Sequence, residues 1–278
     1  SAGTSQGVAR AQIAFTSLKG GSKEVYIMDY DGGNQRTITA NGGLNKFPEW
    51  SFDNKQLAFV TTLPGIPRWE LWIQNVTGGR VVMAAPSSYV SSPAFSPDGE
   101  TIAFSGRRPE RQDAGIYVAN IDGTAMRNLS NNPAIDTSPT WSPTGQQIAF
   151  ISDRSGSPQL WVMDSDGTNV QRLVTEGGHC DSPDWSPDGG TIIFSSDRGD
   201  ETHLWTIPAG GGQRLQWNEG GYAPRFSDDG SQVVFWNEGQ LWTANADGTE
   251  ISAVTNTMTP TFGTWSGDEI FHVDDGRI

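Results

Sequence analysis

The sequence predicts an all-β protein: a six-bladed β-propeller of four-stranded antiparallel blades, its ring closed by the C-terminal strand pairing into the N-terminal blade. Three observations lead there. A phrase of the form Pro-x-aromatic-Ser recurs at Pro48-Glu49-Trp50-Ser51, Pro93-Ala94-Phe95-Ser96, Pro139-Thr140-Trp141-Ser142, Pro183-Asp184-Trp185-Ser186 and Pro224-Arg225-Phe226-Ser227, with a degenerate copy at Gly263-Thr264-Trp265-Ser266. The copies lie 39–46 residues apart, a period that belongs to propellers and solenoids, whose units cannot bury a hydrophobic face alone. Each copy also leads into turn residues and then a short β-branched and aromatic run.

The repeat unit is read in order. The phrase itself is the first strand. A turn follows, as in Pro97-Asp98-Gly99, Pro187-Asp188-Gly189 or Asp228-Asp229-Gly230, and then a second strand such as Ile102-Ala103-Phe104, Ile148-Ala149-Phe150 or Val233-Val234-Phe235. Pro and Asp-Gly supply turn geometry, and the short alternating run is a strand pattern. A third strand carries Tyr26, Trp72, Tyr117, Trp161, Trp205 or Trp242 and ends in a second Asp-Gly turn, for example Asp122-Gly123 or Asp166-Gly167. A fourth run, exemplified by Gln171-Arg172-Leu173-Val174, completes one blade of four antiparallel strands.

The chain opens on a second strand, Ile13-Ala14-Phe15, and its last first strand surrounds Trp265. The expected layout is therefore a flexible leader over 1–12, one propeller over 13–268, and a tail at 269–278. That tail holds a surplus strand, Glu269-Ile270-Phe271-His272-Val273, or begins a continuation of the polypeptide. A truncated seven-bladed ring is the alternative closure.

Composition narrows the function classes. At 278 residues a closed all-β ring can be a single unit. No stretch approaches the ~18 apolar residues that span a bilayer, and the first residues carry no basic-then-apolar export signal. One cysteine, Cys180, rules out an internal disulfide framework. A net charge of −14 argues against nucleic acid, whose phosphates would be repelled. Many of the acids sit in the Asp-Gly turns, which share one face of the disc. The opposite face, with the loops between second and third strands and the crossovers between blades, is of mixed charge.

The repeated Pro-x-Trp-Ser-Pro-Asp-Gly, Ile-Ala-Phe-x-Ser-Asp-Arg-x-Gly and Leu-Trp-Val-Met-Asp-x-Asp-Gly strings resemble the TolB-type propeller of the Tol-Pal system. They stand fullest at 139–173, with Ser152-Asp153-Arg154-Ser155-Gly156 and Trp161-Val162-Met163-Asp164-Ser165-Asp166-Gly167. Similar repeats occur in propellers attached to prolyl-oligopeptidase-like and tricorn-like peptidases. The resemblance implies a periplasmic or secreted bacterial protein, and the propeller module alone, since the small α/β domain ahead of the TolB propeller has no counterpart in these 278 residues. It also implies docking of a Pal-like envelope lipoprotein over the channel mouth, through residues just ahead of the repeated proline. The matching positions are Asn45, Lys46 and Phe47; Ser91 and Ser92; Asp136, Thr137 and Ser138; and His179, Asp181 and Ser182. Trp69 and Tyr222 are candidate aromatic anchors, since aromatic residues dominate binding hot spots.

Catalytic motifs are weak by comparison. Gly3-Thr4-Ser5-Gln6-Gly7 has the Gly-x-Ser-x-Gly form without a strand before it or a helix after it, so the strained elbow that activates such a serine cannot be built. His179-Cys180-Asp181 offers three ligand types, but adjacent residues of an extended segment point to alternating sides, and no second cluster follows. The expectation is a monomeric, non-catalytic binding propeller with no cofactor or metal and a protein or peptide partner. The alternative is an accessory propeller of a larger peptidase or carbohydrate-active enzyme whose catalytic part lies outside this chain.

Overall fold

The computed structural model describes residues 12–19, 21–29, 34–66, 68–83, 89–107, 114–199, 201–238, 240–253 and 261–266. The expected leader, apart from Gln12, and the expected tail strand at 269–273 lie outside the described residues, as does Gly3-Thr4-Ser5-Gln6-Gly7. No helix among the described residues is long and apolar enough to cross a membrane.

The strands run in sequence. The first sheet contains β1 (Gln12–Lys19), β2 (Ser22–Asp29), β3 (Arg36–Thr37), β4 (Leu44–Trp50), β5 (Gln56–Thr62), β6 (Trp69–Asn75) and β7 (Arg80–Met83). The second contains β8 (Tyr89–Phe95), β9 (Thr101–Arg107), β10 (Ala114–Asn120) and β11 (Arg127–Asn128). The third contains β12 (Asp136–Trp141), β13 (Gln147–Ser152), β14 (Gln159–Asp164) and β15 (Gln171–Arg172). The fourth contains β16 (Cys180–Trp185), β17 (Thr191–Arg198), β18 (Glu201–Pro208) and β19 (Leu215–Gly220). The fifth contains β20 (Tyr222–Phe226), β21 (Gln232–Asn237), β22 (Gln240–Asn245) and β23 (Ser252–Ala253). The last strand, β24 (Thr261–Ser266), pairs antiparallel with β1, bringing Trp265 opposite Ile13.

The expected count of six blades is corrected. Counted as hydrogen-bonded sheets, the structure has five blades: four of four antiparallel strands and one of eight, in which β24, β1, β2 and β3 continue into β4 through β7. The join is one parallel bridge between Lys23 and Leu44, where the Lys23 amide donates to the Gly43 carbonyl. A buried polar cluster holds it. Asn45 Nδ2 donates to the Lys23 carbonyl at 2.7 Å and to Glu24 Oε2 at 3.0 Å, and Thr39 Oγ1 donates to the same Glu24 oxygen at 2.6 Å. The corresponding positions elsewhere are Val90, Asp136, Cys180 and Gly221, so an asparagine amide makes this bridge only at the first crossover.

Local chemistry explains the repeat. In the turn after each inner strand, the serine of the repeated phrase is bonded twice. Ser51 Oγ donates to Asp53 and accepts the Gln56 amide, and Ser186 and Ser227 do the same with Asp188 and Thr191 and with Asp229 and Gln232. These hydroxyl bonds, and that of Ser96 to Asp98, hold the Asp53, Asp98, Asp188 and Asp229 carboxyls below their ordinary value, helped by the Lys55 amine at Asp53 and by backbone amides at all four. The turn acids are thus structural caps. The phenylalanine of the second strand is fully buried in β5, β9, β13, β17 and β21 (Phe59, Phe104, Phe150, Phe194, Phe235) and nearly so in β1 (Phe15). It stands opposite the aromatic residue of the third strand, as Phe150 does Trp161 and Phe194 does Trp205. The clusters bridge neighbouring units: Ala103, Ile116 and Leu129 of one pack with Ile148, Phe150 and Met163 of the next.

Candidate functional site

The inner strands β4, β8, β12, β16 and β20 all break register at the repeated proline, between Lys46 and Glu49, Ser91 and Ala94, Thr137 and Thr140, Asp181 and Asp184, and Tyr222 and Arg225. Proline cannot donate to the ladder, so a bulge releases it. The residue directly ahead of each proline takes a left-handed conformation: Phe47, Ser92, Ser138, Ser182 and Ala223 have φ of 53°, 49°, 52°, 49° and 48°. For a side-chain-bearing residue this costs about 1 kcal/mol or more. The bulge divides the sequence-predicted residues by their offset from the proline. Three ahead, Asn45, Asp136 and Cys180 turn into the core; two ahead, Asp181 and Tyr222 are exposed at the face, while Ser91 is covered.

Placement therefore separates the candidates. Asn45 is consumed by the crossover cluster, and Asp136, fully buried, pairs with Arg154 Nη2 at 3.0 Å. Ser91 is 3 % exposed. Phe47, Ser91, Ser92, Thr137, Ser138, Asp181 and Ser182 are brought together around the channel mouth, a cavity of about 350 Å³ that Tyr89 also lines. Asp181 Oδ1 accepts the Ser182 amide at 2.7 Å and the Ser138 hydroxyl at 3.1 Å, linking neighbouring inner strands across the mouth. His179 and Tyr222 line an adjoining groove of about 330 Å³ that shares Thr137 and Asp181 with the mouth. The His179 Nδ1 lies 3.8 Å from Asp197 Oδ2, and the Tyr222 ring leans on Trp236 at 5.5 Å. Lys46 and Trp69 do not line the mouth cavity. Lys46 Nζ sits 5.6 Å over the Trp69 ring, which packs on the core cluster of Val60, Leu71 and Tyr117. Burial, and then the charge of Lys46, pull the Lys23 amine down to about 8.

A second set went unread in the sequence. The variable residue between the proline and the aromatic, Glu49, Ala94, Thr140, Asp184 and Arg225, lines both the mouth cavity and a cavity of about 330 Å³ toward the other end, forming the waist of one channel. Strand alternation was the available signal: the residue beside a core-facing aromatic must face away from it. Among the described residues, no group of three or more His, Cys, Asp or Glu could hold a metal ion.

Asp184 has the most perturbed chemistry at the waist. Burial pushes its carboxyl up to about 6 against the pull of Arg225, and its Oδ2 accepts the Phe226 amide at 2.8 Å, tying β16 to β20. A carboxyl whose pKa rises on folding destabilises the fold above that value, and the penalty is relieved as pH falls toward its unfolded value near 4. Asp184→Asn, which keeps an acceptor for Phe226, is expected to stabilise the protein at pH 7.5 by about 1–3 kcal/mol. The gain should vanish by about pH 4. Thermal melts of both proteins from pH 4 to 8 measure it; superimposable pH profiles would contradict the burial of this carboxylate.

The family model described as the TolB beta propeller domain matches residues 3–183. The "Protein TolB homolog" of Chlorobium luteolum is 33% identical over 157 residues, covering 55% of this chain and 34% of the relative. The "Tol-Pal system protein TolB" of Desulfosudis oleivorans is 34% identical over 130 residues, covering 45% of this chain and 28% of the relative. The matched stretch thus spans about a third of each of these curated relatives. Among solved structures, TolB from Acinetobacter baumannii superposes with a TM-score of 0.78 at 23% identity, covering 93% of this chain and 67% of that one. An oligogalacturonate lyase in complex with manganese superposes at 0.65 with 16% identity, covering 87% of this chain and 73% of that one. At these identities the structural likenesses speak for the fold alone.

Proposed function

Because the chain belongs to the TolB beta propeller family, we propose that it is a non-catalytic propeller of the periplasm that binds a protein partner, a Pal-like lipoprotein, over its channel mouth. One observation carries the reading. The bulges ahead of Pro48, Pro93, Pro139 and Pro183 set Phe47, Ser92, Ser138, Asp181 and Ser182 around one opening, all but Asp181 of them on strained backbone that the sheets on either side hold in place. Rigid framing of polar groups beside exposed rings suits recognition, and Tyr89 and Tyr222, 37% and 43% exposed, supply the rings. The name of one relative, a Tol-Pal system protein, suggests the partner. His179 at the adjoining groove and Thr137 between groove and mouth would extend the same surface.

The test is calorimetric titration with the soluble domain of Pal from a bacterium carrying one of these relatives. Asp181→Ala combined with Tyr222→Ala is expected to weaken binding at least ~10-fold, about 1.4 kcal/mol, with a smaller loss of stability, limited to the Ser138 and Ser182 bonds of Asp181 and the Trp236 contact of Tyr222 at the exposed face. Absence of binding by the unaltered protein, or an equal loss of stability and binding in the variant, would overturn the proposal.

A further inference from the structure

Two neighbouring units place a guanidinium over the tryptophan of the third strand, and only one of them is complete. In the first, Arg154 lies 5.0 Å over the Trp161 ring. Its Nη2 reaches Asp136 Oδ1 at 3.0 Å and its Nε reaches Ser152 Oγ at 2.8 Å. In the next, Arg214 lies 4.0 Å over the Trp205 ring, which stands at the same repeat position. Arg214 Nη1 is buried without a hydrogen-bond partner, and the guanidinium forms no ion pair with any described residue. The position that supplies the carboxylate in the first unit, three ahead of the proline, holds Cys180 here. Its thiol is buried, pushed up by desolvation, and turned to Ser196 and Gln159.

We propose that the Arg214–Trp205 seat binds a carboxylate from outside the chain. A guanidinium held over an indole keeps a donor fork whose geometry suits a planar carboxylate. A charged donor left without an acceptor is costly, so an acceptor supplied to it is favoured. The seat opens to a cavity of about 650 Å³ lined also by His179, Gly177, Gly178, Glu176 and Asp197. Gly177 has a φ of 107°, a conformation that favours glycine, and a Cβ there would push the Arg214 guanidinium out of its place. Glu176 and Asp197 disfavour a multiply charged anion such as phosphate, while His179, beside Asp197, adds a polar group at the entrance. The ligand is thus a single carboxylate, either a free small acid or an Asp or Glu side chain of a docked protein. The second source rests on the mouth-binding reading, since His179 also lines the groove that joins the mouth.

The test is NMR titration of the tryptophan indole N–H signals at constant ionic strength. N-acetylglutamate amide and acetate are the carboxylate probes, and chloride and phosphate are controls. The expected result is a saturable shift at Trp205 with Kd on the order of 1–10 mM. Trp161, whose guanidinium is already paired, should stay unmoved. Arg214→Gln should abolish the shift, and Arg214→Lys, which keeps the charge but loses the fork, should weaken it at least ~5-fold. Tighter binding of the glutamate probe than of acetate assigns the seat to a partner side chain; equal binding assigns it to a free acid. No saturable shift below ~100 mM, an equal response to chloride, or a shift that survives in Arg214→Gln would overturn the proposal. Melting curves exclude unfolding of the variants. The Asp181 and Tyr222 mouth variants should retain the shift, so the two proposals can fail separately.

Discussion

Arg154→Met is expected to lower the unfolding free energy by about 3–5 kcal/mol at neutral pH, because it strands a charge inside the protein. Asp136 is fully buried, Arg154 Nη2 at 3.0 Å is its ionic partner, and its second oxygen, Oδ2, is already buried without a bond. The methionine replaces part of the apolar contact with Phe150 and Trp161, which lie 5.2 and 5.0 Å from the guanidinium, so most of the loss reports the orphaned carboxylate. Removing both charges together, as Arg154→Met with Asp136→Leu, should cost less than the single change, since well-packed apolar pairs often replace buried ion pairs at little cost. Urea unfolding with an unchanged slope measures both. A single-variant loss under about 1 kcal/mol would place the pair in the surface class. The experiment also assigns Asp136 its role. A residue that seemed, from its place ahead of Pro139, to belong to a docking surface should change stability and leave partner binding unaltered.

Phe150→Ala should cost a similar amount, about 3–5 kcal/mol, through a cavity. The ring is wholly inaccessible and lies in the seam where Ile116, Val118 and Leu129 of the second sheet meet Ile148 and Met163 of the third. Neither sheet can close the void by itself without parting from the other. Phe150→Leu, which keeps most of the volume, should lose less than about 1.5 kcal/mol. Because Arg154 lies over this ring, the two losses should not add, and a double-mutant cycle should show at least ~0.5 kcal/mol of coupling. Additive losses within error would mean that the guanidinium and the ring are energetically independent.

The candidate site was legible in part. Residues ahead of Pro48, Pro93, Pro139 and Pro183 line one cavity, because each of these prolines sits at a bulge of its inner strand. The bulge's left-handed residue was not legible: Phe47, Ser92, Ser138, Ser182 and Ala223 share no side-chain chemistry that announces a positive φ. For that reason Asn45, Lys46 and Phe47 looked equivalent in sequence although one is in the core, one lies over Trp69 and one lines the cavity. The waist residues, Glu49 through Arg225, were hidden by their variability, since a position that differs in every copy does not stand out as part of a repeat.

Sequence by itself determined what depends on contacts a few residues apart. The period, the strand order and the Ser-x-Asp turns are of that kind, because a Ser51 hydroxyl reaching Asp53 and Gln56 needs only local geometry. Tertiary structure alone decided what depends on distant pairs. One bridge between Lys23 and Leu44 made an eight-stranded sheet where separate blades were expected, Asp136 found its cation on another strand, and Arg214 came to rest on Trp205 without one. The physical reason is that the pattern of apolar and turn residues sets which elements form. Burial and charge pairing are settled only when those elements close around a common core, where a single side chain such as Asn45 or Cys180 determines which polar groups meet and which are left open.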